Sequence, residues 1–137
     1  MTNIESNKAI INRSDFEIFN FLSDFTHFSN LMPEQITNWQ ATTDTCSFTI
    51  QAMASISMKI DERIPYSEIR IKSDTSSPIE FTMHCLLKKI SDNATQVNIN
   101  FIADLPPMIK MMATKPLKNF VDLLVVRLKE FAENGGF

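Results

Sequence analysis

At 137 residues, with 44% hydrophobic and 21% charged side chains, the chain has the size and composition of one globular domain, able to bury a core without disulfides or metal. Lys and Arg number 13 against 16 Asp and Glu, a net charge of −3 that offers no basic field for a nucleic-acid backbone. The two glycines, Gly135 and Gly136, stand at the C-terminus, so no glycine-rich turn can lead a strand into a helix around a phosphate; Walker-type NTPases and dinucleotide-binding folds are excluded. No apolar run is long enough to span a bilayer, and the opening Met1-Thr2-Asn3-Ile4-Glu5 lacks a secretory pattern, so a cytoplasmic protein is expected. Cys46 and Cys85, far apart and mid-strand, are expected to be buried and reduced.

Along the chain, Ile4 to Ile11 reads as a first short strand. Ser14-Asp15-Phe16-Glu17 has the form of a capping box, and Ile18, Phe19, Leu22 and Phe25 follow at helical spacing. Thr26 can cap a second short turn carrying Phe28, Leu31 and Met32, which Pro33 ends. From Ile36 to Ala103 the apolar period is two, giving six strands in succession. Cys46, Phe48 and Ile50 alternate with polar neighbours, as do Ile56, Met58 and Ile60. Ile69 and Ile71 follow, then Ile79, Phe81, Met83, Cys85 and Leu87, then Val97, Ile99 and Phe101. Asp74 to Pro78 and Ser91-Asp92-Asn93 supply turns.

The last third is helical, with Leu117, Phe120, Val121, Leu124, Leu128 and Phe131 on one stripe and lysines largely opposite, where they read as a solvated face. Met108, Ile109 and Met112 point roughly 120° away from that stripe on a continuous helix. Pro116 lies between the two groups, so an interruption or kink is expected between Ala113 and Leu117. The predicted fold is α+β. A seven-stranded curved antiparallel sheet grips one long C-terminal helix, two short helices lie between strands 1 and 2, and residues 1–137 form a single domain.

Ser14-Asp15-Phe16-Glu17-Ile18-Phe19-Asn20-Phe21-Leu22-Ser23-Asp24 through Leu31-Met32-Pro33 resembles the first helix and following turn of the START/Bet v 1-like (SRPBCC) superfamily, which includes polyketide cyclase/dehydrase and lipid-transport domains. Glu62-Arg63-Ile64-Pro65-Tyr66-Ser67-Glu68-Ile69-Arg70-Ile71 is similar to its central hairpin, and Pro116-Leu117-Lys118-Asn119-Phe120 onward to its gripped helix. The likeness covers essentially the whole chain, although the glycine-rich loop of the plant allergen branch is missing. It implies a cavity between sheet and helix, used in that superfamily for lipids, hormones, polyketides or protein partners.

Met58, Phe81, Met83 and Phe101 share the inward parity of their strands, and Met112 precedes the gripped helix. These five are the expected ligand-lining residues, the methionines being adaptable wall material. Glu62 shares the parity of Ile56, Met58 and Ile60; pointing inward, it and the Tyr66 hydroxyl are the candidates for general acid or base. His84 is expected on the outer face and His27 in a solvated connection. Neither they nor the cysteines have metal-ligand spacing, and no metal or cofactor is expected. Met111 is a candidate dimer contact. The leading expectation is carriage of a small hydrophobic ligand, without nucleic acid or integral membrane segment. The alternatives are a cyclase or dehydratase in the same cavity, and an interaction module like the Hsp90-activator branch.

Overall fold

The computed structural model describes residues 1–34, 36–50, 54–74 and 79–137. The turn expected at Asp74–Pro78 lies largely outside these residues, as does Gln51.

Strands β1 (Thr2–Glu5) and β2 (Ala9–Ile11) precede helix α1 (Asp15–Leu22) and a 3-10 turn (Phe25–Asn30). Then come β3 (Ile36–Ala41), β4 (Thr45–Ile50), β5 (Ala54–Ile64), β6 (Glu68–Ser73), β7 (Phe81–Ser91) and β8 (Ala94–Ala103), and finally helix α2 (Pro107–Phe131). The strands form one antiparallel sheet in the order β1-β8-β7-β6-β5-β4-β3, with β2 also on β8. The expected first strand is therefore two pieces. Ile4 faces Phe101 and Ala9 faces Val97, one residue out of register. Ser6 bridges the slip: its N–H donates to the Ile99 carbonyl and its Oγ accepts from the Ile99 N–H, both at 2.8 Å. The side chain thus substitutes for a ladder bond that the bulge removes.

Alternation places Cys46, Phe48, Ile50, Ile56, Met58, Ile69, Ile71, Phe81, Met83, Cys85, Leu87, Val97, Ile99 and Phe101 in the core. Leu117, Phe120, Val121, Leu124, Val125 and Leu128 of α2 are buried as well. Two complementary apolar surfaces, one of period two and one of period 3.6, account for the wrap of sheet around helix. Phe48 meets Phe120 at 5.8 Å between ring centroids, and Phe81 lies on Phe101 at 4.8 Å.

Ser14 caps α1 as expected, accepting from the Glu17 N–H at 3.1 Å, while Glu17 reaches back to the Ser14 hydroxyl. The second cap is Asp24 rather than Thr26: the Asp24 carboxylate accepts from both the N–H and the hydroxyl of Thr26. A charged acceptor placed before the turn outcompetes the hydroxyl inside it.

Two expectations about α2 need correction. The helix runs without a break from Pro107 through Pro116 to Phe131. Pro116 has no N–H for the Met112 carbonyl, but Ala113 and Leu117 on either side of it are both buried and fix one helical register across the gap. Thr114 also turns its hydroxyl to the Lys110 carbonyl at 2.6 Å. Nor are the lysines all solvated. Lys118 donates to the Glu5 carbonyl and Asp122, and Asp122 accepts from the Asn7 N–H. Lys129 donates to the Ile10 carbonyl and Glu133, which accepts from the Asn12 N–H. These bonds stitch the second half of α2 to β1 and β2. Just past the helix, Gly135 takes a φ of 85°, where a side chain would be strained.

Candidate functional site

The interior between the sheet and α2 is the candidate site. Its wall on the sheet side includes Met58, Phe81, Met83 and Phe101, which are 2%, 5%, 1% and 3% exposed. Opposite them, α2 presents Leu117, Phe120 and Leu124. α1 and the 3-10 turn close one end beneath the C-terminal part of α2, where Phe21 packs on Phe131 at 5.5 Å. The other end carries the first turns of α2. Met112, expected in the wall, is 73% exposed there, beside Met108 and Met111 at 76% and 87%. It faces away from the interior because Ala113 and Leu117 occupy the inward side of those turns.

Glu62 does not point inward. Ile60 pairs with Ile71, yet Glu62 pairs with Arg70, so Asp61 is an extra residue and the strand parity changes. Both acids then face outward: Asp61 meets Lys72 at 3.1 Å and Glu62 meets Arg70 at 3.0 Å. Tyr66 also lies outside. It occupies the β5–β6 turn at a φ of 63°, a conformation usually left to glycine, and its ring rests on Phe16 and Phe19 at 5.8 and 5.5 Å. The two acid–base candidates are thus removed from the interior.

The outer face holds a polar row that the sequence only hinted at. Glu62, Arg70, His84 and Asn100 lie side by side across β5 to β8. Glu68 accepts from Arg70 Nε at 2.6 Å and from His84 Nδ1 at 2.7 Å. Burial pushes the Glu68 carboxyl up, but the hydrogen bonds from Arg70 and His84 outweigh it and hold the group below the ordinary carboxylate value. Glu68 and Arg70, two apart in a strand, share a face, and this spacing was the available signal. His27 stacks on Phe21 at 5.0 Å and donates from Nδ1 to the Phe21 carbonyl at 2.8 Å, an arrangement that supports the local turn.

Burial raises the Cys85 thiol to about 12, with the Glu68 charge adding to it, and raises Cys46 too, so neither is a nucleophile at neutral pH. Among the described residues, no group of three His, Cys, Asp or Glu is placed to hold a metal ion. Open clefts occur on the surface. One of about 330 Å³ lies at the sheet end beside Lys72, Glu80, Phe81, Thr82, Ile102 and Asp104. Polar grooves cross β3 to β5 around Gln40, Ser47 and Ser57. An aromatic cleft of about 420 Å³ lies between Phe16, Phe21, His27, Phe131 and Phe137. Of the five expected lining residues, Phe81 alone borders any of these clefts.

No family model and no curated relative matches the sequence. Solved structures do match its shape. The protein XoxI from Bacillus cereus superposes with a TM-score of 0.77 at 10% identity, over 100% of this chain and 99% of that one. A START superfamily protein from Mycobacterium smegmatis gives 0.67 at 13% identity, over 94% and 98%. The di-domain ARO/CYC protein BexL gives 0.74 at 12% identity, over 97% of this chain and 47% of its own. The chain has the START/Bet v 1-like helix-grip fold.

Proposed function

We propose that the chain binds a small hydrophobic molecule, lipid or polyketide-like, between the concave face of the sheet and α2. The observation that carries this is chemical uniformity. The middle of the opposed surfaces of β4 to β8 and α2 is apolar, the buried Thr95 towards one end turns its hydroxyl to the Arg13 carbonyl, and Glu62 and Tyr66 face outward. Such an interior can solvate an apolar guest, and with Glu62 and Tyr66 outside it carriage is favoured over a cyclase or dehydratase reaction. Met58 and Met83 are unbranched and can yield to admit a ligand where a β-branched wall could not. Resemblance in fold to a START protein and an ARO/CYC protein is consistent with this use without assigning it.

The stacked pairs Phe48–Phe120 and Phe81–Phe101 favour a second reading, in which the interior stays filled and the outer surface does the work. A fluorescent fatty acid separates the two. Under the first, it binds with micromolar affinity and is displaced by other apolar molecules, and Met83→Trp weakens binding while the fold persists. Absence of probe binding by the wild-type chain, with a Met83→Trp variant that cannot fold, would establish a solid core. Native mass spectrometry of protein purified from its own cells would then identify what, if anything, travels with it.

A further inference from the structure

We propose that the first three turns of α2 dock on an anionic lipid surface. At 100° per residue, Met108, Met111, Met112 and Lys115 fall within an arc of about 100°, nearly opposite the buried Ala113 and Leu117. Ile109, 42% exposed, and Pro116 border the same arc. A convex ridge of exposed methionines costs solubility and contributes nothing to the packed side of the helix.

Charge selects the occupant. Between Asp104 and Asp122 the sequence contains Lys110, Lys115 and Lys118 and no acid, within a chain of net charge −3. Lys118 is turned to Glu5, Asn7 and Asp122. Lys110 and Lys115 have no ionic partner among the described residues. Glu80 and Asp104 line the cleft at the sheet end. An apolar face with the uncommitted Lys115 inside it suits insertion among acyl chains with the ammonium group at the headgroups, and Lys110, on the far side of the same turns, adds to the positive field. A second copy fits less well, since two such faces would bring one Lys115 towards the other with no acid from this helix segment between them. No helix of the described residues is long and apolar enough to cross a membrane, so the contact is peripheral. Docking stands on this surface alone. Its use, passing an apolar molecule between bilayer and interior, rests on the carrier reading.

Sedimentation with vesicles tests it. The wild-type chain should pellet with phosphatidylcholine–phosphatidylglycerol vesicles, bind pure phosphatidylcholine at least several-fold more weakly, and come off as salt rises. Met108→Ser/Met111→Ser/Met112→Ser and Lys110→Glu/Lys115→Glu should each reduce vesicle binding about tenfold, with circular dichroism unchanged. Their affinity for the fluorescent fatty acid in solution should equal the wild type's, which separates docking from carriage. Vesicle binding without probe binding would uphold docking and sink the carrier. A wild-type chain left in the supernatant would overturn docking. So would a dimer, seen by ultracentrifugation, that the methionine variant dissolves.

Discussion

The two halves of α2 are one continuous helix held in opposite ways. From Leu117 to Phe131 the helix is gripped: its apolar stripe is buried, and Lys118, Asp122 and Lys129 are bonded to β1 and β2. From Pro107 to Pro116 only Ala113 is buried, and the prolines are three if Pro106 before the helix is counted. Pro106 brings no side-chain acceptor to the orphan N–H groups, whereas α1 begins on Ser14. The contrast shows that tertiary burial, rather than local propensity, keeps a helix in place, and that a weakly held half can extend from a rigid one.

The sharpest way to break this comparison is to empty one position in the gripped half. Phe120→Ala should cost about 3–5 kcal/mol in urea unfolding, because the ring is buried against Phe48 and leaves a cavity. A loss below about 1 kcal/mol would mean the sheet collapses freely onto the helix. Next in size is Pro116→Ala. It returns a donor to the Met112 carbonyl and relieves the ring, so stability should rise by roughly 2 kcal/mol, less than the full helix penalty because the unfolded chain gains freedom. A neutral or negative result would show that the carbonyl is already satisfied by water. Pro106→Asp should add a cap and a favourable charge at the helix start, worth about 1 kcal/mol. Amide exchange at Met108 to Thr114 should slow with it, while exchange at Leu124 to Leu128 follows only global stability. The smallest effect is expected from Met111→Ser, within about 0.5 kcal/mol, since the side chain is exposed. A large loss there would show that the methionine face is covered in solution.

Periodicity alone made most of this architecture legible. Strands β4 to β8 and the stripe from Leu117 to Phe131 were visible because sheet and helix each bury one face and repeat it. What escaped was set by single residues against their neighbours. The Asp61 bulge inverted the assignment of Glu62, and alternation carries no mark of an inserted residue. Pro116 argued for a break that Ala113 and Leu117 prevent, a contest decided by burial across the chain. Lys118 and Lys129 looked like solvent-facing charges because their acceptors, Glu5 and Ile10, stand more than a hundred residues away. Parity alone turns Met58, Met83, Phe81 and Phe101 inward, and they are buried. Met112 was not placed so simply, because a helix facing both a core and solvent has two apolar stripes and the sequence does not say which is covered.

The join between the chain's first strand and its last has a consequence for how the protein is made. Among the described residues β1 and β2 pair only with β8, with Ser6 closing on Ile99. These two strands therefore have no ladder to enter until β8, the last strand in the sequence, has been translated. At 5–20 residues per second the delay is on the order of ten seconds. Throughout it β8 is unborn, and the growing sheet ends at whichever strand came last. Each newly formed edge is covered in turn by the next strand, and the final one is covered by the first, recovered from upstream. Closing the strand pairing of highest sequence separation makes β1 and β2 the last strands to order, although they precede the other strands in the sequence.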